Sequence, residues 1–159
     1  MRLERPVYSV VYRWVWNSED ARDLVQEAFV RLWNMRDRVR MESVEPLVYR
    51  IAINLASNRR RKHRMRKWLS GEEAEEQRDS AAEKEQDPLD RMSVRRAIDQ
   101  LPERYRRVVL LSEVAGMSYD EVGRVLSIPN GTVASRRHEA MRRLRVLLEI
   151  EEDSNVRAS

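Results

Sequence analysis

The stretch Ser118-Tyr119-Asp120-Glu121-Val122-Gly123-Arg124-Val125-Leu126-Ser127-Ile128-Pro129-Asn130-Gly131-Thr132-Val133 holds two helix starts and the turn between them. Ser118 and Glu121 have the S-x-x-E form of a capping box. Val122, Val125 and Leu126 then give the apolar stripe of a short helix, about 118–127. Pro129-Asn130-Gly131-Thr132 opens a second helix, about 130–148. At 100° per residue this second helix has two faces. Val133, Ala140, Leu144 and Leu147 point one way. Ala134, Ser135, His138, Glu139, Arg142 and Arg145 point the other way, with Arg136 and Arg143 at the boundary. Residues 129–148 carry five Arg and one Glu. A capped short helix, a tight turn and a basic second helix form the helix-turn-helix pattern. One face is buried and the other is left for a DNA groove, with boundary arginines placed for phosphates. An ordinary basic surface helix, or a hairpin that binds protein, has the same pattern.

Upstream, helical periodicity recurs and no segment has the period of a strand. Leu89, Met92, Ala97, Ile98 and Leu101 fit a helix stopped by Pro102, and Val108 to Val114 fit another stopped by Gly116. At the other end, Tyr8, Val11, Tyr12 and Val15 repeat as one amphipathic helix. Asn17-Ser18-Glu19-Asp20 breaks it and caps the next. Ala21, Leu24, Val25, Ala28 and Leu32 form the longest apolar stripe. Residues 36–46, with Pro46, read as a loop, and a third helix follows over about 47–64. The expected organisation is a helical domain over 1–68, a flexible linker over 69–88, a second helical domain over 89–150 and a disordered tail over 151–159.

Composition agrees with an all-α chain. There are only 4 Gly, 5 Pro and 1 Phe in 159 residues. Cysteine is absent, which excludes disulfides, thiolate metal sites and cysteine nucleophiles. The two histidines, His63 and His138, fall in different domains, so no metal site or catalytic triad is expected, nor any cofactor or small-molecule substrate. No apolar run approaches the ~20 residues of a membrane span, and the N-terminus has no signal-peptide stretch. The expected setting is the cytoplasm. The net charge of +4 is unevenly spread: residues 1–65 carry +6, residues 66–90 carry −5 and residues 91–159 carry +3. Two basic blocks flanking an acidic connector suggest contact with a polyanion.

Two features of the N-terminal block go beyond packing. Asp23, Glu27 and Arg31 stand at four-residue spacing on a polar face, which by itself is an ordinary i, i+4 ladder. On the third helix, Arg50, Asn54, Asn58 and Arg61 share a stripe within about 80° of arc. Asn amides read base edges, and Arg grips phosphate or stacks on a base. Arg59, Arg60, Arg61, Lys62 and Arg64 put five cations into six positions. That density favours a nucleic-acid strand, although cations also suit a helix C-terminus.

Four segments resemble the extracytoplasmic-function (ECF) branch of the sigma-70 family of RNA polymerase sigma factors. Asp23-Leu24-Val25-Gln26-Glu27-Ala28-Phe29 is similar to the DLVQEvF stretch of sigma region 2. Tyr49-Arg50-Ile51-Ala52-x-Asn54 is similar to its YRIAxN promoter-melting helix. Leu101-Pro102-Glu103-Arg104 resembles the LPxxxR start of region 4, and Gly131-Thr132-Val133-x-Ser135-Arg136 resembles the GTVxSR of its recognition helix. The resemblance implies a three- or four-helix region 2 domain and a four-helix region 4 domain with a helix-turn-helix. The implied function is that of a non-enzymatic initiation factor. Asp23, Gln26, Glu27 and Arg31 would dock on the clamp helices of the largest polymerase subunit. Asn54 and Asn58, with the loop 37–46, would capture a flipped base of the −10 element. Arg50, Arg59, Arg60, Arg61, Lys62 and Arg64 would hold the strand. Thr132, Ala134, Ser135, Arg136, His138, Glu139, Arg142 and Arg143 would read the −35 duplex, while region 4 touches the polymerase flap tip. The implied partners are core RNA polymerase, promoter DNA and an anti-sigma factor.

The chain departs from the family pattern at four positions. Ala134 replaces the usual Lys or Arg, Glu139 replaces Arg, Arg137 stands where an apolar residue is usual, and Asn58 where Asp is frequent. The changes at 134, 137 and 139 predict an altered or weakened −35 preference, while Asn58 remains compatible with DNA. Two other readings fit the residues: a helix-turn-helix regulator that binds intact duplex without polymerase, and an adaptor whose basic faces bind acidic proteins.

Overall fold

The computed structural model describes residues 2–71 and 88–158. Most of the acidic connector therefore lies outside the described residues. The described residues are helical and contain no strand. The chain divides into two compact units, one built on the first three long helices and one on the last four.

In the first unit α1 spans Glu4–Val15, α2 spans Ser18–Asn34 and α3 spans Val44–Ser70, and each packs on the other two. The α1 core face is Val7, Val10, Val11 and Trp14, rotated from the stripe expected at Tyr8, Val11, Tyr12 and Val15. Val7, Val10 and Trp14 outcompete the tyrosines for the interior because a Tyr hydroxyl prefers a wet edge. Tyr8 and Tyr12 instead stack on each other at the flank, with centroids 6.0 Å apart. Asn17 caps α2 as its sequence implies, accepting from the Asp20 N–H at 2.9 Å.

The segment expected as a loop to Pro46 is shorter than expected. Short 3-10 turns occupy Arg36–Arg38 and Met41–Ser43, and α3 begins at Val44. Pro46 lies in the first turn, where its missing N–H has no partner to lose. α3 also outruns the expected end at Arg64, stopping where Gly71 adopts φ +65 and donates to Lys67 O at 3.2 Å.

The second unit contains α4 (Pro88–Gln100), α5 (Glu103–Val109) continued by a π-type turn (Leu110–Val114), α6 (Tyr119–Leu126) and α7 (Asn130–Ala158). The capping box at Ser118 and Glu121 is fully formed. Gly123 fits the turn because a Cβ there would lie 2.8 Å from the Ile128 carbonyl oxygen. α7 continues through the segment expected to be a disordered tail. Arg106 is the buried polar anchor, 3 % exposed. It donates to the carbonyls of Ile98 (3.0 Å), Asp99 (2.7 Å) and Leu101 (2.8 Å), closing the otherwise orphaned C-terminal end of α4.

Candidate nucleic-acid and polymerase interfaces

α3 is unbroken from Val44 to Ser70, so the stripe of Arg50, Asn54, Asn58 and Arg61 keeps its helical phase. Its inner side is fixed by Val48, Tyr49, Ala52, Ile53, Ala56 and Ser57, all buried. That burial leaves Asn54 and Asn58 exposed and Arg50 half-buried. The basic run that follows divides by direction. Arg59 turns back to Asp20 at the start of α2, with Nη1 to Oδ1 at 2.6 Å. Arg60 donates to Trp14 O at 3.4 Å, and Arg61 to the buried Ser57 hydroxyl at 3.2 Å. Lys62 and Arg64 extend into solvent. Arg59 and Arg60 thus also brace the helix bundle, one and two residues round from Asn58.

The α2 surface presents Asp23, Gln26, Glu27 and Arg31, all exposed, with Arg31 paired to Glu27 at 2.5 Å. Sequence reasoning missed two apolar members of this surface. Val30 is 52 % exposed and Trp33 64 % exposed. At helical spacing Val30 falls between Gln26 and Glu27 on the same face. The Arg36 guanidinium lies 4.6 Å from the Trp33 ring centroid and steadies it. Val30 was legible as an apolar residue opposite the Ala21, Leu24, Ala28 stripe, where an apolar side chain has no core to enter.

On α7 the expected division of faces holds. Val133 and Ala140 are fully buried, while Ser135, His138, Arg142 and Arg145 are exposed. Thr132, Ala134 and Arg136 are half-buried, and Ser135 donates to Thr132 O at 3.1 Å. Glu139 is the electrostatic centre. It accepts from Arg142 Nε and Nη2 at 2.9 and 2.7 Å, and from Arg143 Nε at 2.9 Å. Hydrogen bonds from Arg142, then from Arg143, hold its carboxyl down at about 2. Arg143 also stacks 4.8 Å from the Tyr105 centroid, with Arg104 at 4.7 Å from the same ring.

Arg137, standing where an apolar residue is usual, finds an ion pair. Its Nε lies 2.7 Å from Glu113 Oε1 in the π-type turn, and the side chain stays 33 % exposed. That hydrogen bond holds the guanidinium above its ordinary value. Among the described residues no group of three or more His, Cys, Asp or Glu is placed to hold a metal, and no helix is long and apolar enough to cross a membrane.

Residues 1–66 match the Sigma-70 region 2 family and residues 91–144 match Sigma-70, region 4. The ECF RNA polymerase sigma-E factor of Escherichia coli is 34 % identical over 148 residues, covering 86 % of this chain and 77 % of that one. SigW of Bacillus subtilis is 30 % identical over 151 residues, covering 87 % and 81 %. This chain belongs to the ECF sigma factors. SigE of Mycolicibacterium smegmatis is 33 % identical over 143 residues, and there the chain spans 56 % of the relative's length. Two solved structures share the fold. The sigma factor RpoE, in complex with the anti-sigma factor NepR from Bartonella quintana, gives a TM-score of 0.73 at 23 % identity, covering 92 % of each chain. CnrH, in complex with the cytosolic domain of CnrY, gives 0.71 at 21 %, covering 94 % of this chain and 84 % of that one.

Proposed function

We propose that this ECF sigma factor binds core RNA polymerase in the cytoplasm, directs it to promoters and helps open the −10 element, without catalysing a reaction itself. The observation that carries this reading is the α3 face. Two exposed amides, Asn54 and Asn58, stand on a helix braced by a buried core and followed by a cationic run. DNA opening costs about 1.4 kcal/mol per stacked step. A base held by Asn54 and Asn58, with its strand held by Arg61, Lys62 and Arg64, offsets part of that cost through binding alone.

The α2 surface is the proposed contact with the polymerase clamp helices. Val30 and Trp33 supply apolar area amid Asp23, Gln26, Glu27 and Arg31, the combination that anchors an interface. The α7 outer face is the proposed −35 reader, with Ser135, Arg136 and His138 nearest the groove and Arg142 and Arg143 restrained by Glu139. An anti-sigma factor is the further partner we assign, since the solved relative RpoE was captured with one.

Run-off transcription with core polymerase, with and without the protein, tests the reading. Promoter-dependent transcripts are expected only when the protein is present. Binding to intact duplex that is indifferent to core polymerase would identify a duplex-binding regulator instead.

A further inference from the structure

The Asn54 and Asn58 stripe does not end with the amides. Carried along α3 at 100° per residue, it passes through Arg61, Lys62, Met65, Trp68 and Leu69, all within about 120° of arc. Met65, Trp68 and Leu69 are 64 %, 82 % and 70 % exposed. An indole so exposed in the last turn of a helix calls for an occupant. Gly71 ends the helix in the left-handed conformation, so Trp68 is held on an ordered turn. Trp68 lies about 15 Å beyond Asn58 at 1.5 Å per residue.

Charge narrows the class of occupant. Between Val44 and Ser70 the one acidic residue is Glu45, in the first turn, whereas Arg59 to Lys67 holds seven cations. The surface is therefore apolar and aromatic within a strongly positive field. We propose that the last two turns of α3 extend the single-strand path. Trp68 stacks on an unpaired base displaced from the one held at Asn54 and Asn58, Met65 and Leu69 flank the ring, and Lys62 and Arg66 hold the intervening phosphates. A stacking aromatic beside cations is how single strands are gripped without regard to sequence, because every base has a π-face. The inference rests on the single-strand reading of Asn54 and Asn58 and lengthens its footprint.

The test uses the full chain with core polymerase. A randomised single-stranded DNA pool is enriched for binders, and the enriched strand is then trimmed from each end. The expected result is that trimming one end weakens wild-type binding about tenfold. Trp68→Ala binds the full strand about tenfold more weakly and is indifferent to that trimming, while Trp68→Tyr keeps most of the affinity. Asn54→Ala weakens the full and trimmed strands alike. If trimming costs Trp68→Ala as much as wild type, the inference fails while the Asn54 reading stands. If the pool yields no binder, that reading fails and takes the inference with it. Binding to phosphatidylglycerol vesicles that Trp68→Ala abolishes, with strand affinity unchanged, would assign the turn to a membrane surface and overturn the proposal.

Discussion

The two units place their arginines among different neighbours. In the second unit arginines are spent on the protein itself. Arg106 is buried on three carbonyls, Arg107 pairs with Glu103 at 2.9 Å, Arg137 with Glu113, and Arg142 and Arg143 with Glu139. In the first unit Arg59, at the cationic end of α3, pairs with Asp20 at 2.6 Å on another helix. The difference follows from where the acids lie. Glu103 and Glu139 sit three or four residues from their arginines and Glu113 faces Arg137, whereas α3 has no acid after Glu45. A helix without internal counter-charges neutralises less of its own field. A helix with them holds part of its field in reserve.

The largest effect expected from disturbing this contrast is at Arg106. Arg106→Met removes three hydrogen bonds and takes this donor from the Asp99 and Leu101 carbonyls, and should destabilise the second unit by about 3 kcal/mol. Urea unfolding followed by circular dichroism should show that transition at lower denaturant while the first unit is unmoved. A single unshifted transition would mean that Arg106 is dispensable.

Next comes Asn54→Ala, which removes the amide proposed to hold the flipped base. Affinity for single-stranded −10 DNA, and run-off transcription with it, should fall about tenfold or more, with the circular dichroism spectrum unchanged.

Glu139→Arg should do the reverse on α7. Releasing Arg142 and Arg143 and adding a cation should raise affinity for −35 duplex several-fold and steepen its salt dependence by about two charges. Unchanged binding to a −35 probe would show that Glu139 does not restrain this face. The same carboxylate gives a pH signature. Its folded value, about 2, lies below the usual 4.5, so its contribution is complete above about 4.5 and is lost as pH falls towards 2. Carboxyl NMR should follow Glu139 titrating near 2 in the wild type and close to 4.5 in the Arg142→Ala, Arg143→Ala double variant.

The smallest effect is expected at Arg137. Its pair with Glu113 is largely open to solvent, and such pairs are worth about 0.2–1 kcal/mol. Arg137→Leu should change the melting temperature by only a few degrees, measured by calorimetry.

Much of this molecule was fixed locally. Caps at Asn17 and Ser118, stops at Pro102 and Gly116, and the two faces of α7 follow from neighbours within one or two turns, so sequence alone determined where helices occur, the helix-turn-helix and the amides on α3, but not how far α3 and α7 run. Local rules misplaced what depends on competition or on distance. The core face of α1 was decided by which of two adjacent apolar stripes met α2 and α3. Pro46 joined α3 because a first-turn proline costs that helix no hydrogen bond. The partners of Arg59, Arg106 and Arg137 were set by packing, since their acids and carbonyls come from other helices or turns. Trp68 became a candidate contact only once α3 was seen to run past Arg64, which put the indole in phase with Asn54 and Asn58. Periodicity gives a helix its faces, but only tertiary packing decides which face is buried and which charges remain for another molecule.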